Sequence, residues 1–296
     1  MRVGLCIPIG ERGPQLVPIR YREMRELAQV AESGGLDSIW VADHLFIRGG
    51  GAIERGLWES MSMLAALAEA TERVELGPLV LCTPFRNPGM IAWAANSLDE
   101  ISNGRFVLGL GAGWHQPEFD AFGFEFGRRV SVFADALEII APLLRDGRAD
   151  YEGRFSRGEA ALHPRGPRPK GPPILTAGSG PRMLSLTARF ADRWNSVWYG
   201  LPTDEFRDER RRLAEACVAI GRDPAEIEIS AGIGVFDAAE ASANGPEQVV
   251  GRAADIAAAL RAWREEGVAE VMCRMEPASV GLADEICRAA QQVRAS

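Results

Sequence analysis

The sequence GLDSIWVADHL, residues 35–45, places a short apolar run directly before an acidic residue and a histidine. The run 37–42 has the length and composition of a buried strand, and residues 24–31 before it carry apolar side chains at helical spacing. In barrels of parallel strands, reactive residues lie where the strands end at their carboxyl side. The stretch therefore predicts one β-α unit of a parallel sheet, with Asp43 and His44 at the edge that carries the chemistry.

Seven further apolar runs continue this alternation of strand and helix along the chain. The predicted strands are residues 2–8, 37–42, 74–81, 106–109, 173–177, 192–197, 227–231 and 269–274. Two intervening segments show an apolar helical face, formed by Met24, Leu27, Ala28 and Ala31 and by Phe133, Leu137, Ile140 and Leu144. Eight such units close a (β/α)8 TIM barrel, so we predict an α/β fold of this type with residues 1–296 as a single domain.

Residues 146–172 interrupt the alternation. Their glycines, prolines and spaced apolar side chains predict a surface hairpin followed by a proline-rich connector, inserted into the barrel. Residues 47–57 and 237–245 are expected to border the substrate pocket, and the second of these stretches is a candidate mobile loop. The side chains of both loops indicate no particular ligand, so they leave the substrate unidentified.

The overall composition excludes several classes of function. With 33 basic and 41 acidic residues, the net charge of -8 would repel a nucleic acid. No apolar run approaches the roughly 20 residues that span a bilayer, and the first residues lead straight into a strand, so we predict a cytoplasmic protein without a membrane segment. The five dispersed cysteines predict reduced core residues, and the spacing of cysteines and histidines does not favour a metal site.

Two strand ends carry residue patterns with more than one interpretation. Asp43 and His44 could place an acid or base at the barrel mouth, or His44 could be a structural cap of its strand. The run GLGAGW, residues 109–114, resembles half of a dinucleotide fingerprint, but Trp114 stands where the third glycine would be required. It predicts either bare backbone against a flat ligand or a tight strand-to-helix turn.

Another glycine turn and three polar residues complete the set of candidates. Gly178, Ser179 and Gly180 precede a helical segment, where backbone amides could hold a phosphate, although a plain glycine turn has the same spacing. We interpret His115 and His163 as ordinary surface residues. Glu59 either caps the following helix or reaches the barrel mouth, and its position favours the cap.

Taken in order, these motifs resemble the luciferase-like monooxygenase superfamily. Residues 35–45 resemble its second-strand motif. Further similar segments are residues 64–71, 76–77, 86–88, 98–99, 102–105, 109–114, 118–119, 122–123, 172–174, 178–180 and 188–195. The resemblance covers most of the chain and implies a bacterial luciferase-like TIM barrel with a flavin or deazaflavin at the carboxyl ends of its strands.

The resemblance also implies roles for individual residues. Leu79 and Val80 would form a bulge with a non-prolyl cis peptide behind the cofactor ring, and Asp43 and His44 would face the reactive edge, with His44 transferring a proton. The remaining implied cofactor contacts are Gly111, Ala112, Gly113 and Trp114 along the ring and Gly178, Ser179 and Gly180 at the phosphate.

The resemblance favours one cofactor over another. An aspartate before the histidine, as at Asp43, resembles the branch that uses the deazaflavin coenzyme F420, and a composition with Lys170 as the sole lysine resembles actinobacterial proteins. The leading hypothesis is therefore F420-dependent hydride transfer to or from a small organic molecule. The alternatives are a monooxygenase fed with reduced FMN by a separate reductase and a catalytically silent cofactor-binding protein. A homodimer is also expected from the family.

Overall fold

A closed barrel of eight parallel strands forms the centre of the molecule, in a computed structural model that describes residues 1–48, 54–237 and 248–295. The strands are β1 (Arg2–Cys6), β2 (Ser38–Val41), β3 (Glu75–Pro78, continued by Leu81–Cys82), β4 (Leu108–Gly111), β5 (Ile174–Ala177), β6 (Arg193–Tyr199), β7 (Glu228–Phe236) and β8 (Glu270–Glu276). The barrel closes through β3, because its first part pairs with β2 and its second part pairs with β4. The predicted (β/α)8 barrel is confirmed.

Helices surround this barrel and cover its apolar outer face. They are α1 (Tyr21–Ser33), α2 (Ser60–Glu69), α3 (Pro88–Ile101), α4 (Gln116–Phe122), α5 (Arg129–Asp146), α6 (Pro181–Phe190), α7 (Asp204–Ala219), α8 (Ala253–Glu265) and α9 (Val280–Ala295), with short 3-10 turns at Thr83–Phe85, Phe126–Arg128 and Pro224–Glu226. Across the described ranges, we find no helix with the length and apolar character needed to cross a membrane.

The apolar helix faces predicted from the sequence pack against the barrel. On α1 the four predicted residues are at most 3% exposed, and on α5 the four predicted residues are at most 1% exposed. Burial of each large aliphatic or aromatic side chain contributes about 1.5–3 kcal/mol, so these two faces are a substantial part of what holds the outer layer in place.

Strands β3 and β7 differ most from their predicted bounds. Strand β3 breaks at Leu79, where the chain leaves β2 and begins to pair with β4. Strand β7 continues five residues beyond the predicted end at 231, as far as Phe236. A Cβ at Gly232 would lie 2.8 Å from Cζ3 of Trp198, so glycine is required there by close packing within the sheet.

The predicted insertion between α5 and β5 is a hairpin. Strand Arg148–Glu152 pairs antiparallel with Arg157–Ala161, and the turn is held by Asp135, which accepts hydrogen bonds from the Phe155 amide at 2.7 Å and from the Tyr151 hydroxyl at 3.1 Å. Two further hairpins, Glu11–Arg12 with Val17–Pro18 and Phe46–Arg48 with Glu54–Gly56, were not predicted. The candidate mobile loop lies outside the described residues from position 238 onward.

Charged side chains fill the amino-terminal end of the barrel interior. Arg193 is 8% exposed, and its two terminal nitrogens donate to the two carboxylate oxygens of Glu75 at 2.8 and 2.9 Å. Glu228 and Arg2 extend this network to β7 and β1. Glu270 lies above it, where burial raises the pKa of its carboxyl group. This charged layer lies at the opposite end of the barrel from Asp43 and His44, which follow β2 at its carboxyl end.

The cysteines offer a direct test of the packing. All five are free thiols, and burial raises the pKa of Cys6 to about 12 and that of Cys287 to about 11. Burial also raises the pKa of the Cys82, Cys217 and Cys273 thiols. Because the thiolate is the nucleophile, we expect almost no reaction with a disulfide reagent at pH 8 in the native protein, and five reacting thiols after denaturation. A thiol that reacts rapidly in the native state would contradict this packing.

Candidate active site

The carboxyl ends of the strands form the barrel mouth, and Asp43 lies at its edge beyond β2. The residue is 5% exposed. Its Oδ1 accepts hydrogen bonds from the Ser60 hydroxyl at 2.6 Å and from Arg86 Nη2 at 2.8 Å, and its Oδ2 accepts from the Cys82 amide at 2.7 Å and from Arg86 Nη1 at 2.8 Å. The carboxylate therefore joins β2, β3 and α2. A direct role of Asp43 in the reaction stays a prediction.

Glu59 performs both of the roles considered for it. As the N-cap of α2 it accepts a hydrogen bond from the Ser62 amide at 2.7 Å, which confirms the predicted cap. Its other carboxylate oxygen accepts from Arg86 Nη2 at 2.8 Å. The same side chain thus helps to hold the guanidinium group that fixes Asp43.

His44 is held by the carboxylate of Glu118, for which the sequence predicted no role. Its Nδ1 lies 2.8 Å from Oε2 of Glu118, which is 1% exposed. The other oxygen of Glu118 accepts hydrogen bonds from the Leu45 and Phe46 amides. A proton on Nδ1, donated to Glu118, leaves Nε2 as the nitrogen that can accept or deliver a proton, in the arrangement by which a carboxylate fixes the tautomer of a histidine.

Two aromatic side chains from the turn after β4 stand beside His44. The His44 and Trp114 rings meet edge to face with their centroids 5.4 Å apart, and Trp114 is 64% exposed at the mouth. His115 is 6% exposed and lies 5.1 Å from Trp114 and 6.2 Å from His44, measured between ring centroids. The interpretation of His115 as a surface residue is therefore wrong, because α4 packs against the hairpin strand Phe46–Arg48 and covers it. The exposure predicted for His163 is confirmed.

His115 has a structural partner. Its Nε2 accepts a hydrogen bond from the Arg48 amide at 3.0 Å, so that nitrogen carries no proton in this arrangement. His44 differs from it, because in the described part of the chain the Nε2 of His44 has no hydrogen-bond partner. His44 thus has an Nε2 available for chemistry while its Nδ1 is held by Glu118.

The floor of the mouth is formed by Leu79 and Val80, which are joined by a cis peptide bond. The cis geometry implied by the family resemblance is thus present. Both side chains are partly buried and pack on the interior cluster of the barrel. They lie close against β4, since a Cβ at Gly111 would be 2.6 Å from Cγ2 of Val80. The missing side chain at Gly111 accommodates this bulge, and the contact of the glycine with a cofactor stays a prediction.

The rest of the glycine run turns away from the strand toward α4. Ala112 is 8% exposed, and Gly113 has a φ of +79°, a left-handed conformation that favours glycine. The carbonyl oxygen of Gly113 accepts a hydrogen bond from Arg129 Nε at 3.0 Å. This turn fixes the direction in which Trp114 leaves β4.

The second glycine loop borders a cavity of about 460 Å³ at the ends of β5 and β6. Gly178 has a φ of +120°, and Gly180 is the N-cap residue of α6 without a side-chain cap. Gly178 and Ser179 line the cavity, and so do the carboxylates of Glu205 and Glu209. The amides at the start of α6 suit a phosphate, whereas the two acidic side chains limit how much negative charge the cavity can hold.

A buried polar cluster supports one wall of that cavity. Glu209 is 5% exposed, and its Oε2 accepts hydrogen bonds from the Ser196 hydroxyl at 2.6 Å and from the Tyr199 hydroxyl at 3.3 Å. Burial raises the pKa of Tyr199 to about 12. The cluster was not predicted, because its members come from β6 and α7 and show no recognisable spacing in the sequence.

These features fit a flat ring cofactor. An apolar floor at Leu79 and Val80, a polar edge at His44 and an exposed indole at Trp114 are the surfaces that such a ring requires. No group of three or more His, Cys, Asp or Glu side chains suited to hold a metal ion occurs in the part of the chain that the structure describes.

Comparison with known proteins identifies the family. A family model described as luciferase-like monooxygenase matches residues 1–272. The chain belongs to this family. The resemblance drawn from the motifs is confirmed.

Relatives within and around the family differ in what they do. The pyrimidine monooxygenase RutA of Methylorubrum extorquens is 33% identical over 244 residues, which are 75% of this chain and 62% of that protein. The chain thus spans less than two thirds of the length of that relative. An F420-dependent secondary alcohol dehydrogenase superimposes with a TM-score of 0.81 at 17% identity, covering 99% of both chains.

A riboflavin lyase, RcaE, whose structure holds a modified FMN, superimposes with a TM-score of 0.82 at 17% identity, covering 99% of this chain and 91% of the other. Luciferase-like barrels of this shape therefore occur with either kind of cofactor. The fold alone does not choose between them.

Proposed function

We propose that this protein is a monooxygenase that uses reduced FMN, supplied by a separate reductase, to oxygenate a small organic molecule with O2. The observation that carries the choice is the 33% identity to a pyrimidine monooxygenase over three quarters of the chain. The likeness to an F420-dependent enzyme rests on shape at 17% identity. This reverses the order of the two hypotheses drawn from the sequence.

The residues of the barrel mouth have distinct tasks in this proposal. Leu79 and Val80 support one face of the ring and exclude water from it, and Trp114 covers its outer edge. When bound, reduced FMN supplies the electrons that activate O2. His44 holds a proton at Nε2 or accepts one there, and Glu118 keeps the imidazole in the required tautomer and orientation.

The phosphate end of the cofactor is assigned to the loop after β5. The amides that follow Gly178, Ser179 and Gly180 would hold it at the start of α6. His44, Leu79 and Val80 would contact the ring and the loop after β5 would hold the tail, so substitutions in that loop should weaken binding without changing the chemistry at His44.

F420-dependent hydride transfer is the second candidate. It is favoured by the aspartate before the catalytic histidine, the pattern that resembles the F420-using branch. In this protein, however, both oxygens of Asp43 are occupied by Arg86, Ser60 and the Cys82 amide. The pattern therefore has a structural explanation that does not depend on the cofactor.

The two candidates are separated by following oxygen. The protein is mixed with FMN, a flavin reductase and NADH under 18O2, with pyrimidines first in the substrate panel. We expect substrate-dependent incorporation of 18O into the product. A substrate-dependent change in the deazaflavin absorbance of F420, without oxygen uptake, would overturn the proposal in favour of the second candidate. Binding of either cofactor without turnover of any compound would overturn both and leave the silent binding protein.

A further inference from the structure

Arg274 is a charged residue near the barrel mouth that takes no part in the contacts of Asp43 and His44. It lies on β8, in register with Cys6 of β1 and Gly234 of β7. Met272, two residues earlier, belongs to the interior cluster of the barrel. Since alternate residues of a strand face the same side, Arg274 also points into the interior, one layer nearer the mouth.

The side chain of Arg274 rests on an aromatic platform. Its guanidinium carbon lies 4.8 Å from the centroid of the Trp198 ring. Trp198 belongs to a bulge of β6, where Ser196 pairs with Ala231 and Tyr199 pairs with Ile233. Bulges change the direction of side chains, and this bulge places the indole of Trp198 over Gly232 of β7. The guanidinium group is thus held in one place by the ring beneath it.

Within residues 1–48, 54–237 and 248–295, the side chain of Arg274 forms no ion pair or hydrogen bond, and its buried Nε has no partner. A buried donor of this kind normally finds an acceptor. Three buried carboxylates near the mouth are engaged elsewhere, with Asp43 on Arg86, Glu118 on His44 and Glu209 on Ser196 and Tyr199.

We propose that Arg274 binds an anionic oxygen group of the substrate, most simply a carboxylate, and so makes this protein selective for small organic acids. The proposal deepens the proposed function, because it assigns a substrate class to the same barrel mouth. The planar guanidinium group can donate two parallel hydrogen bonds to a carboxylate. Cys6, the neighbour in register, is a partly buried thiol whose pKa is raised by burial, so it offers no competing charge.

Ligand-induced stabilisation tests this binding without turnover. The probes are aromatic and aliphatic carboxylates, and each is compared with its primary amide. The first pair is benzoate and benzamide. Each probe is added to the protein in the presence of FMN. We expect acids, but not their amides, to raise the Tm of the wild-type protein. Arg274→Met should weaken acid binding by at least about tenfold, and the affinity of Arg274→Lys for acids should lie between those of the wild type and R274M. Arg148→Met, which removes an exposed arginine, is the matched control and should behave as wild type.

Several results would overturn the proposal. They are the absence of protection by any acid of the panel, equal protection by the amides, and protection that persists in R274M. A tenfold loss of FMN affinity in R274M would assign the guanidinium group to the cofactor instead. Because the assay needs no oxygen chemistry, acid binding that depends on Arg274 would stand even if no 18O entered any product, so the two proposals can fail separately.

Discussion

Replacing His44 by glutamine is expected to lower the single-turnover rate of substrate oxidation by about 10²–10⁴-fold, which is the usual contribution of a positioned acid or base. The dissociation constant of FMN should change by less than about threefold, because the apolar floor that supports the ring is untouched. Glutamine can keep a hydrogen bond to Glu118 but cannot take up a proton. Stopped-flow spectroscopy of the reduced cofactor, with the substrate found in the 18O2 screen, measures both quantities.

Two variants control this experiment. Glu118→Gln leaves the imidazole in place but removes the charge that orients it, so its rate should fall between those of wild type and H44Q. His163→Gln makes the same change at an exposed histidine and should have no effect. A wild-type rate in H44Q would show that His44 takes no part in proton transfer.

Replacing Arg193 by methionine should lower the free energy of unfolding by about 3 kcal/mol. This value is at the lower end of the cost of breaking a buried ion pair, because Glu75 keeps some contact with solvent. The substitution leaves the carboxylates of Glu75 and Glu228 at the bottom of the barrel without their shared cation. In a domain of this size the Tm should fall by about 6–10 °C. Urea unfolding monitored by circular dichroism measures the change.

The matched control for this prediction lies on the surface of α7. Arg211 bridges Asp208 and Glu215, and its side chain is 59% exposed. Arg211→Met should change stability by less than about 1 kcal/mol, since exposed pairs contribute little. If R193M and R211M were equally stable, the charged layer would not be a stabilising part of the barrel.

The sequence predicts the barrel well because each strand is locally recognisable. A buried parallel strand is a short continuous apolar run, and eight of these with helices between them admit few other folds. The exceptions follow from contacts that a local pattern does not contain. The run 227–231 extends to Phe236 through Gly232, which packs closely against Trp198 of the neighbouring strand, and β3 breaks at Leu79 because the chain changes its partner strand.

The active-site residues could be predicted only in part, for the same reason. His44 was recognisable at a strand end, whereas Glu118 acts across 74 positions of sequence. Its place in α4 beside the buried Phe119 was the one available signal of burial. Arg274 was indistinguishable from other arginines, because what sets it apart is that its Nε lacks a partner among the residues that the structure describes.

A flat cofactor ring is proposed to bind between Leu79, Val80 and His44, beside Trp114. The most direct test is a titration of the protein and of Trp114→Phe with FMN, and in parallel with F420, followed by tryptophan fluorescence. We expect saturable quenching by FMN at micromolar concentration or below, most of which disappears in W114F while ultrafiltration shows that binding persists. Equal quenching in wild type and W114F, or no saturable quenching by either cofactor, would contradict it.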